Sequence, residues 1–258
     1  MSSLVQLVFE EEIATITLNR PEKLNALNPE MLELLESACA EIEAKSEIRV
    51  VLLTGAGEKA FCVGADIGAW SSLAPLDMWR NWVRNGHRVF NRIANLRQPV
   101  IAAINGYAFG GGLELALAAD LRFAVDDTEF AMPEVKIATV PGWAGSSRLP
   151  KLIGDARAKQ MIFSGAGISA KKAESWGLIN ECFSKDHFQE EVLKLARTIA
   201  ENAPISVQIA KQLVDAGENL QADLALEALA GALAASTQDG REGVEAFRAK
   251  RPPQFKGE

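Results

Sequence analysis

The stretch PVIAAINGYAFGGGLELALAA, residues 99–119, decides how this chain folds. It has the length of a membrane span, and its polar side chains are Asn105, Tyr107 and Glu114 alone. Pro99, four glycines and a glutamate near the middle argue against a helix in lipid. The segment reads instead as a buried strand over Val100–Ile104, a glycine turn, and a buried helix over about residues 111–119. That is one β-then-α unit, and the flanking sequence repeats the theme.

Upstream, Leu4–Phe9 and Ile13–Leu18 are β-like runs joined by Glu10–Glu12, which predicts a hairpin. Asn28-Pro29-Glu30 offers an N-cap, a proline at the first helical position and an early acid. The MLELLESACAEIEA run that follows has helical apolar spacing. Arg49–Leu53 predicts a short strand. Residues 69–95 are rich in tryptophan and predict a helix in their second part. Downstream, Leu121–Val125 and Glu129–Met132 predict strands. The second half predicts helices over about residues 145–152, 155–163, 170–176, 187–202, 204–216, 220–237 and 240–249, with one strand-like run at Leu178–Phe183. The fold class is α/β followed by an α-helical C-terminal part.

The chain has 258 residues, of which 48% are apolar and 24% charged. A chain of this size buries about three-quarters of its surface on folding, enough for one large core. The net charge of −7 argues against an unspecific nucleic-acid binder, which needs a basic stripe. The N-terminus MSSLVQLVFEEE lacks the basic start and apolar run of a secretory leader. Three cysteines (Cys39, Cys62 and Cys182) form no C-x-x-C pair, and an odd count suits reduced thiols in a cytoplasm. Two histidines leave almost nothing for a His-centred zinc site or a His-based triad. No metal site is expected. The chemistry falls to carboxylates, backbone amides or a bound cofactor.

Two segments fit the dinucleotide pattern G-x-G-x-x-G/A. Gly55–Ala60 follows a strand, but the chain after it reads as extended rather than helical, and Gly165–Ala170 follows a helix. No G-x-S-x-G elbow is present. What remains is Gly110-Gly111-Gly112-Leu113-Glu114, where a glycine-rich helix start presents free N–H groups and an acid sits in the first turn. Met132-Pro133-Glu134 adds a second acid, and the small-residue turn in Ala60–Ile67 can offer a second N–H. Taken singly, each has a plain structural reading: helix–strand packing for the glycines, a dipole-stabilised acid for Glu114, a surface acid for Glu134.

Together these pieces resemble the crotonase family, the enoyl-CoA hydratases and isomerases. The resemblance runs from Arg20-Pro21-Glu22-Lys23-Leu24-Asn25-Ala26-Leu27 to Phe255-Lys256-Gly257. Between them, in matching order and spacing, lie Thr54-Gly55, Ala60–Ile67, Pro99–Asp120, Pro133-Glu134, Val140-Pro141-Gly142 and Ser147-Arg148-Leu149-Pro150.

The resemblance implies a crotonase-like spiral of repeated ββα and βαβ turns over residues 1–200. It implies a helical trimerisation region over 201–258, with two trimers often stacked as a hexamer. It implies an acyl-CoA thioester as substrate, no separate cofactor, and neither nucleic acid nor membrane as partner. The family's oxyanion hole maps onto the backbone N–H groups of Ala65 and Gly111, and its two catalytic acids onto Glu114 and Glu134. CoA contacts map onto Leu24, Ala26, Lys59, Ala65, Asp66 and Ile67, with Phe255 and Lys256 reaching CoA from a neighbouring part of the assembly. Trp70, Trp82, Pro141, Gly142 and Trp143 are the expected acyl pocket. Two acids in place of one imply reversible hydration of a trans-2-enoyl-CoA to a 3-hydroxyacyl-CoA; an isomerase or a carnitinyl-CoA-type dehydratase is the alternative, and from another class an RNA-binding relative of the family, which the acidic charge counts against. Gly68 stands where many hydratases carry a charge, and Trp143 where many carry a small residue.

Overall fold

The computed structural model describes residues 3–217 and 220–258. Two sheets organise it. The larger has strand order β1 (Val5–Glu10), β2 (Ile13–Leu18), β3 (Val50–Gly55), β5 (Val100–Ile104), β7 (Leu121–Val125), β10 (Glu181–Phe183). The β1–β2 hairpin is antiparallel and every later pairing is parallel. The smaller sheet runs β4 (Ala60–Cys62), β6 (Tyr107–Phe109), β8 (Glu129–Ala131), β9 (Ile168–Ser169), with only β9 antiparallel.

The chain visits the sheets alternately: β3 then β4, β5 then β6, β7 then β8. Each turn of the spiral therefore lays one strand in each sheet. Helices close the turns: α1 (Pro29–Glu43), short α2 (Ile67–Trp70) and α3 (Pro75–Asp77), α4 (Arg84–Ala94) and α5 (Gly111–Ala116). Helices α6 (Gly145–Ile153), α7 (Asp155–Ser164), α8 (Ala170–Trp176) and α9 (Lys185–Ala200) follow, then α10 (Pro204–Ala216), α11 (Leu220–Ser236) and α12 (Gln238–Ala249). Asn28 caps α1 by accepting the Met31 N–H at 2.8 Å, with Pro29 next, as the sequence predicts.

Alternation along the parallel strands divides the core in two. Val51, Leu53, Val100, Ala102 and Ile104 face a cluster that contains Leu32, Leu35, Ile42 and Phe90. Val50, Leu52, Ile101, Ala103, Phe123 and Val125 face the other way, against Phe188, Val192, Ala196 and Ala200 of α9. Both faces of the central strands β3 and β5 are covered, which is why they read as unbroken apolar runs. Lys211 fixes α10 to this layer by donating to Asp120 (2.8 Å) and to the Gln98 carbonyl (3.1 Å).

Several local expectations need correction. Tyr107–Phe109, read as part of a glycine turn, is strand β6. The helix expected over residues 111–119 ends at Ala116. Glu134–Ile137 forms a short 3-10 turn that the sequence pattern did not signal. A π-helical turn, Met78–Val83, joins α3 to α4. Gly55–Ala60 is a strand-to-strand turn with no helix behind it. Its carbonyls are clamped by amides: Asn25 donates to Ala56 and Ala60, and Asn105 to Gly55 and Gly57. That geometry removes the dinucleotide reading. No helix among the described residues is long and apolar enough to cross a membrane.

Candidate active site

Three neighbouring parallel strands end at one place. The register sets Cys62 against Ala108, Ala108 against Phe130, and Phe109 against Ala131. Continuing two or three residues past each strand brings Ala65, Gly111 and Glu134 to the same edge. Carboxyl ends of parallel strands are where open α/β sheets gather their ligands.

A cavity of about 270 Å³ opens there, lined by Ala65, Ile67, Trp70, Trp82, Gly111, Glu114, Glu134, Gly142 and Trp143 among others. Ala65 is held by a bridge to Leu27: the Leu27 N–H donates to Gly64 and the Asp66 N–H donates to Leu27, both at 2.8 Å. The Ala65 N–H stays outside that bridge. The Gly111 N–H is the first of α5 and has no partner within its helix. A Cβ built on Gly111 would lie 3.4 Å from the Ala65 nitrogen, so the two amides are close neighbours. Gly110, at φ +51, makes the turn into α5 with a backbone that L side chains rarely adopt.

Glu114 is buried inside the first turns of α5. Its Oε1 accepts the N–H groups of Trp143 and Gly145, each at 2.7 Å. Burial pushes its carboxyl up to about 7; the two N–H donors pull down and the charge of Glu134 adds to the rise. Burial also raises the Glu134 carboxyl. Neither Glu134 oxygen has a hydrogen-bond partner among the described residues. Two acids thus face one apolar cavity, one fixed by main-chain donors and one unengaged. Both are more easily protonated than surface carboxyls, which suits proton exchange near neutral pH.

Other predicted positions fall elsewhere. Pro141 is not among the residues lining the cavity, although Gly142 and Trp143 are. Asp66 caps α2 through the Gly68 N–H (3.0 Å) and pairs with Arg20 at 2.6 Å, and the Arg20 hydrogen bond holds its carboxyl below the usual range. Its side chain therefore serves the loop. Leu24 is exposed in the left-handed region at φ 52, Ala26 is buried, and Lys59 is exposed. None of these three lines the cavity. Phe255 and Lys256 lie against α12: Arg49 donates to the Phe255 carbonyl and Lys256 N–H donates to Asp239. Within this chain they stand apart from the cavity lining.

Sequence reasoning missed Met78, Val83, Lys136, Ile137, Thr139 and Val140, which also line the cavity. It also missed that the backbone of residues 143–145 holds Glu114. The Pro141-Gly142-x-x-Gly145 spacing was the available signal, since glycine and proline mark a loop able to turn its amides inward.

A spiral of this kind, with a buried and a half-buried acid beside two neighbouring backbone amides on one cavity, defines a crotonase-type enzyme. The family model for enoyl-CoA hydratase/isomerase matches residues 8–258, and the chain belongs to that family. It is 39% identical over 244 residues to a short-chain-enoyl-CoA hydratase of Clostridium acetobutylicum, covering 94% of this chain and 93% of that one. It is 38% identical over 256 residues to an (E)-benzylidenesuccinyl-CoA hydratase of Thauera aromatica, covering 98% and 99%. Its structure superposes on that of an enoyl-CoA hydratase from Bacillus anthracis with a TM-score of 0.95 at 38% identity, covering 98% and 99%.

Proposed function

We propose that this protein adds water reversibly across the double bond of a trans-2-enoyl-CoA, giving a 3-hydroxyacyl-CoA. The observation that carries this reading is the pair Glu114 and Glu134 on a single apolar cavity whose wall also presents the Ala65 and Gly111 amides.

The thioester carbonyl sits on the two N–H groups, which stabilise the enolate oxygen formed when C3 is attacked. Removing one such donor costs about 10²–10³ in rate. Glu114, already oriented by Trp143 and Gly145, takes a proton from water as the new C3–O bond forms. Glu134, protonated beforehand, delivers its proton to C2 and completes the addition. The proton taken up by Glu114 returns to Glu134 through the site, and the two acids titrate as a pair. No metal or redox group takes part. A family member working as an isomerase needs one acid; both present and both on the cavity favours hydration.

Coenzyme A then lies along the Leu24–Ala26 and Ala65–Ile67 segments with Lys59 near its phosphates. Phe255 and Lys256 come from a neighbouring subunit of a trimer or hexamer. The thiols of Cys39 and Cys62, unpaired and pushed up to about 12 by burial, fit a reducing cytoplasm.

The test is turnover of crotonyl-CoA by the parent, Glu114→Gln and Glu134→Gln, with a 3-enoyl-CoA and crotonobetainyl-CoA as parallel substrates. We expect hydration by the parent and a loss of about 10²–10⁴ in kcat for each variant, the range for general acid–base groups. Near-parental hydration by both variants overturns the mechanism. Preferential turnover of one of the other substrates moves the enzyme to isomerase or dehydratase.

A further inference from the structure

The Trp143 indole occupies an unusual position between two backbones. On one side its Cε3 and Cζ3 lie 2.8 Å from where a Cβ on Gly111 would stand. On the other, its Nε1 lies 2.0 Å from where a Cβ on Gly86 would stand, with Cδ1 and Cε2 at 2.3 Å. The ring thus spans from the first turn of α4 to the first residue of α5. Trp82 and Phe90 brace it, each with ring centroids 5.1 Å away, and it is 2% exposed. Gly86 and Gly111 admit the ring because neither has a side chain.

This indole packs against Gly111, whose amide faces the same site, and lines the cavity together with the apolar side chains of Trp70, Met78, Trp82 and Val83. We propose that Trp143 is the specificity-determining stop of the acyl pocket: the acyl group ends against its ring, so the enzyme takes short acyl chains and rejects long ones. This rests on the hydratase reading above. Packing makes the stop firm, because the ring is braced on four sides and is open only toward the cavity it lines.

Two variants act on the ring in opposite directions. Trp143→Ala removes the stop. Gly86→Ala places a methyl group inside the present ring position and drives the indole toward the cavity, on a helix whose propensity it improves. The experiment measures kcat/KM for trans-2-enoyl-CoAs of four to twelve carbons, and in parallel the binding of saturated acyl-CoAs of the same lengths, which needs no turnover. For the parent we expect a fall of tenfold or more from the shortest to the longest chains, within the range a hydrophobic pocket achieves. Trp143→Ala should flatten or reverse that preference, and Trp143→Phe should fall between. Gly86→Ala should steepen it, cutting activity on the longer members first. Equal losses at all lengths in both variants would mark a purely structural role and overturn the proposal. So would a parent with no length preference. If the parent hydrates none of the substrates yet binds saturated chains with the expected length dependence, the hydratase reading falls and the stop stands.

Discussion

At the scale of single residues, Glu114 exposes a conflict between folding and chemistry. Its carboxyl is raised from 4.5 to about 7 mainly by burial. A carboxyl raised in the folded state leaves stability untouched below the unfolded pKa. Between 4.5 and about 7 the folded chain holds more protons than the unfolded one, so stability falls as pH rises; above that the penalty is constant. The shift corresponds to about 3 kcal/mol at most. Glu114→Gln keeps an acceptor for the Trp143 and Gly145 amides and never ionises. We therefore expect it to melt higher than the parent at pH 8, with the gap closing toward pH 4, while hydration is lost. A calorimetric pH series on both proteins measures this; a gap independent of pH would show that Glu114 carries no burial penalty. Both acids were legible in the sequence through the motif they share with the family. The burial of Glu114 and the half-burial of Glu134 were not, because Glu134 opens a 3-10 turn whose path is set by strands distant in sequence. Asp66 is a parallel case: its place beside the Ala65 amide was legible, but the pairing of its carboxylate with Arg20, 46 residues away, was not.

At the scale of elements, the site depends on how closely α5 approaches β4. A Cβ on Gly112 would lie 2.0 Å from the Cys62 carbonyl oxygen and 2.6 Å from its carbon, both backbone atoms that cannot rotate aside. Gly112→Ala must therefore part the helix from the strand. Overpacking of this kind costs about 1–3 kcal/mol. It also pulls the Gly111 amide away from Ala65, so kcat should fall as well as the urea midpoint. Gly231→Ala in α11, where a Cβ meets nothing within 4 Å, is the control. It should gain up to about 1 kcal/mol from helix propensity and leave kcat unchanged. If Gly112→Ala behaves like Gly231→Ala, the close approach does not matter. Long elements were legible because periodicity and caps agree in them: β1, β2, α1 and β5 fall where the pattern places them. Three-residue β6 and two-residue β9 carry no period of their own, and only pairing with β4 and β8 makes them strands. The 3-10 turn after Pro133 is likewise set by its surroundings, with Ala138 left-handed at φ 56 to end it.

At the scale of the whole molecule, the three last helices carry more apolar surface than one chain covers. Helix α11 is apolar on most of its positions, and a helix apolar all round belongs in a buried setting. It packs against α10 and α12. Yet Leu229 is 70% exposed and Leu224, Leu226 and Leu233 stand open beside it, with Val214 of α10 and Phe247 of α12, the latter 86% exposed. Open apolar surface on this scale marks an association site, and the family's trimer is the proposed occupant. Leu226, Leu229 and Leu233 follow helical i, i+3, i+7 spacing and share one face. Because these side chains are exposed in the single chain, replacing them with acids adds no buried charge to the fold. The double variant Leu229→Asp with Leu233→Asp should therefore stay folded by circular dichroism. In sedimentation it should move from three or six times 27.8 kDa to the mass of one chain. If Phe255 and Lys256 complete the CoA site of a neighbour, the same variant should raise KM for every acyl-CoA far more than it lowers kcat at saturation. A parent that sediments as one chain, or a variant that keeps the parental mass, would place the assembly surface elsewhere. A monomeric variant with parental KM would show that each chain binds CoA without its neighbour.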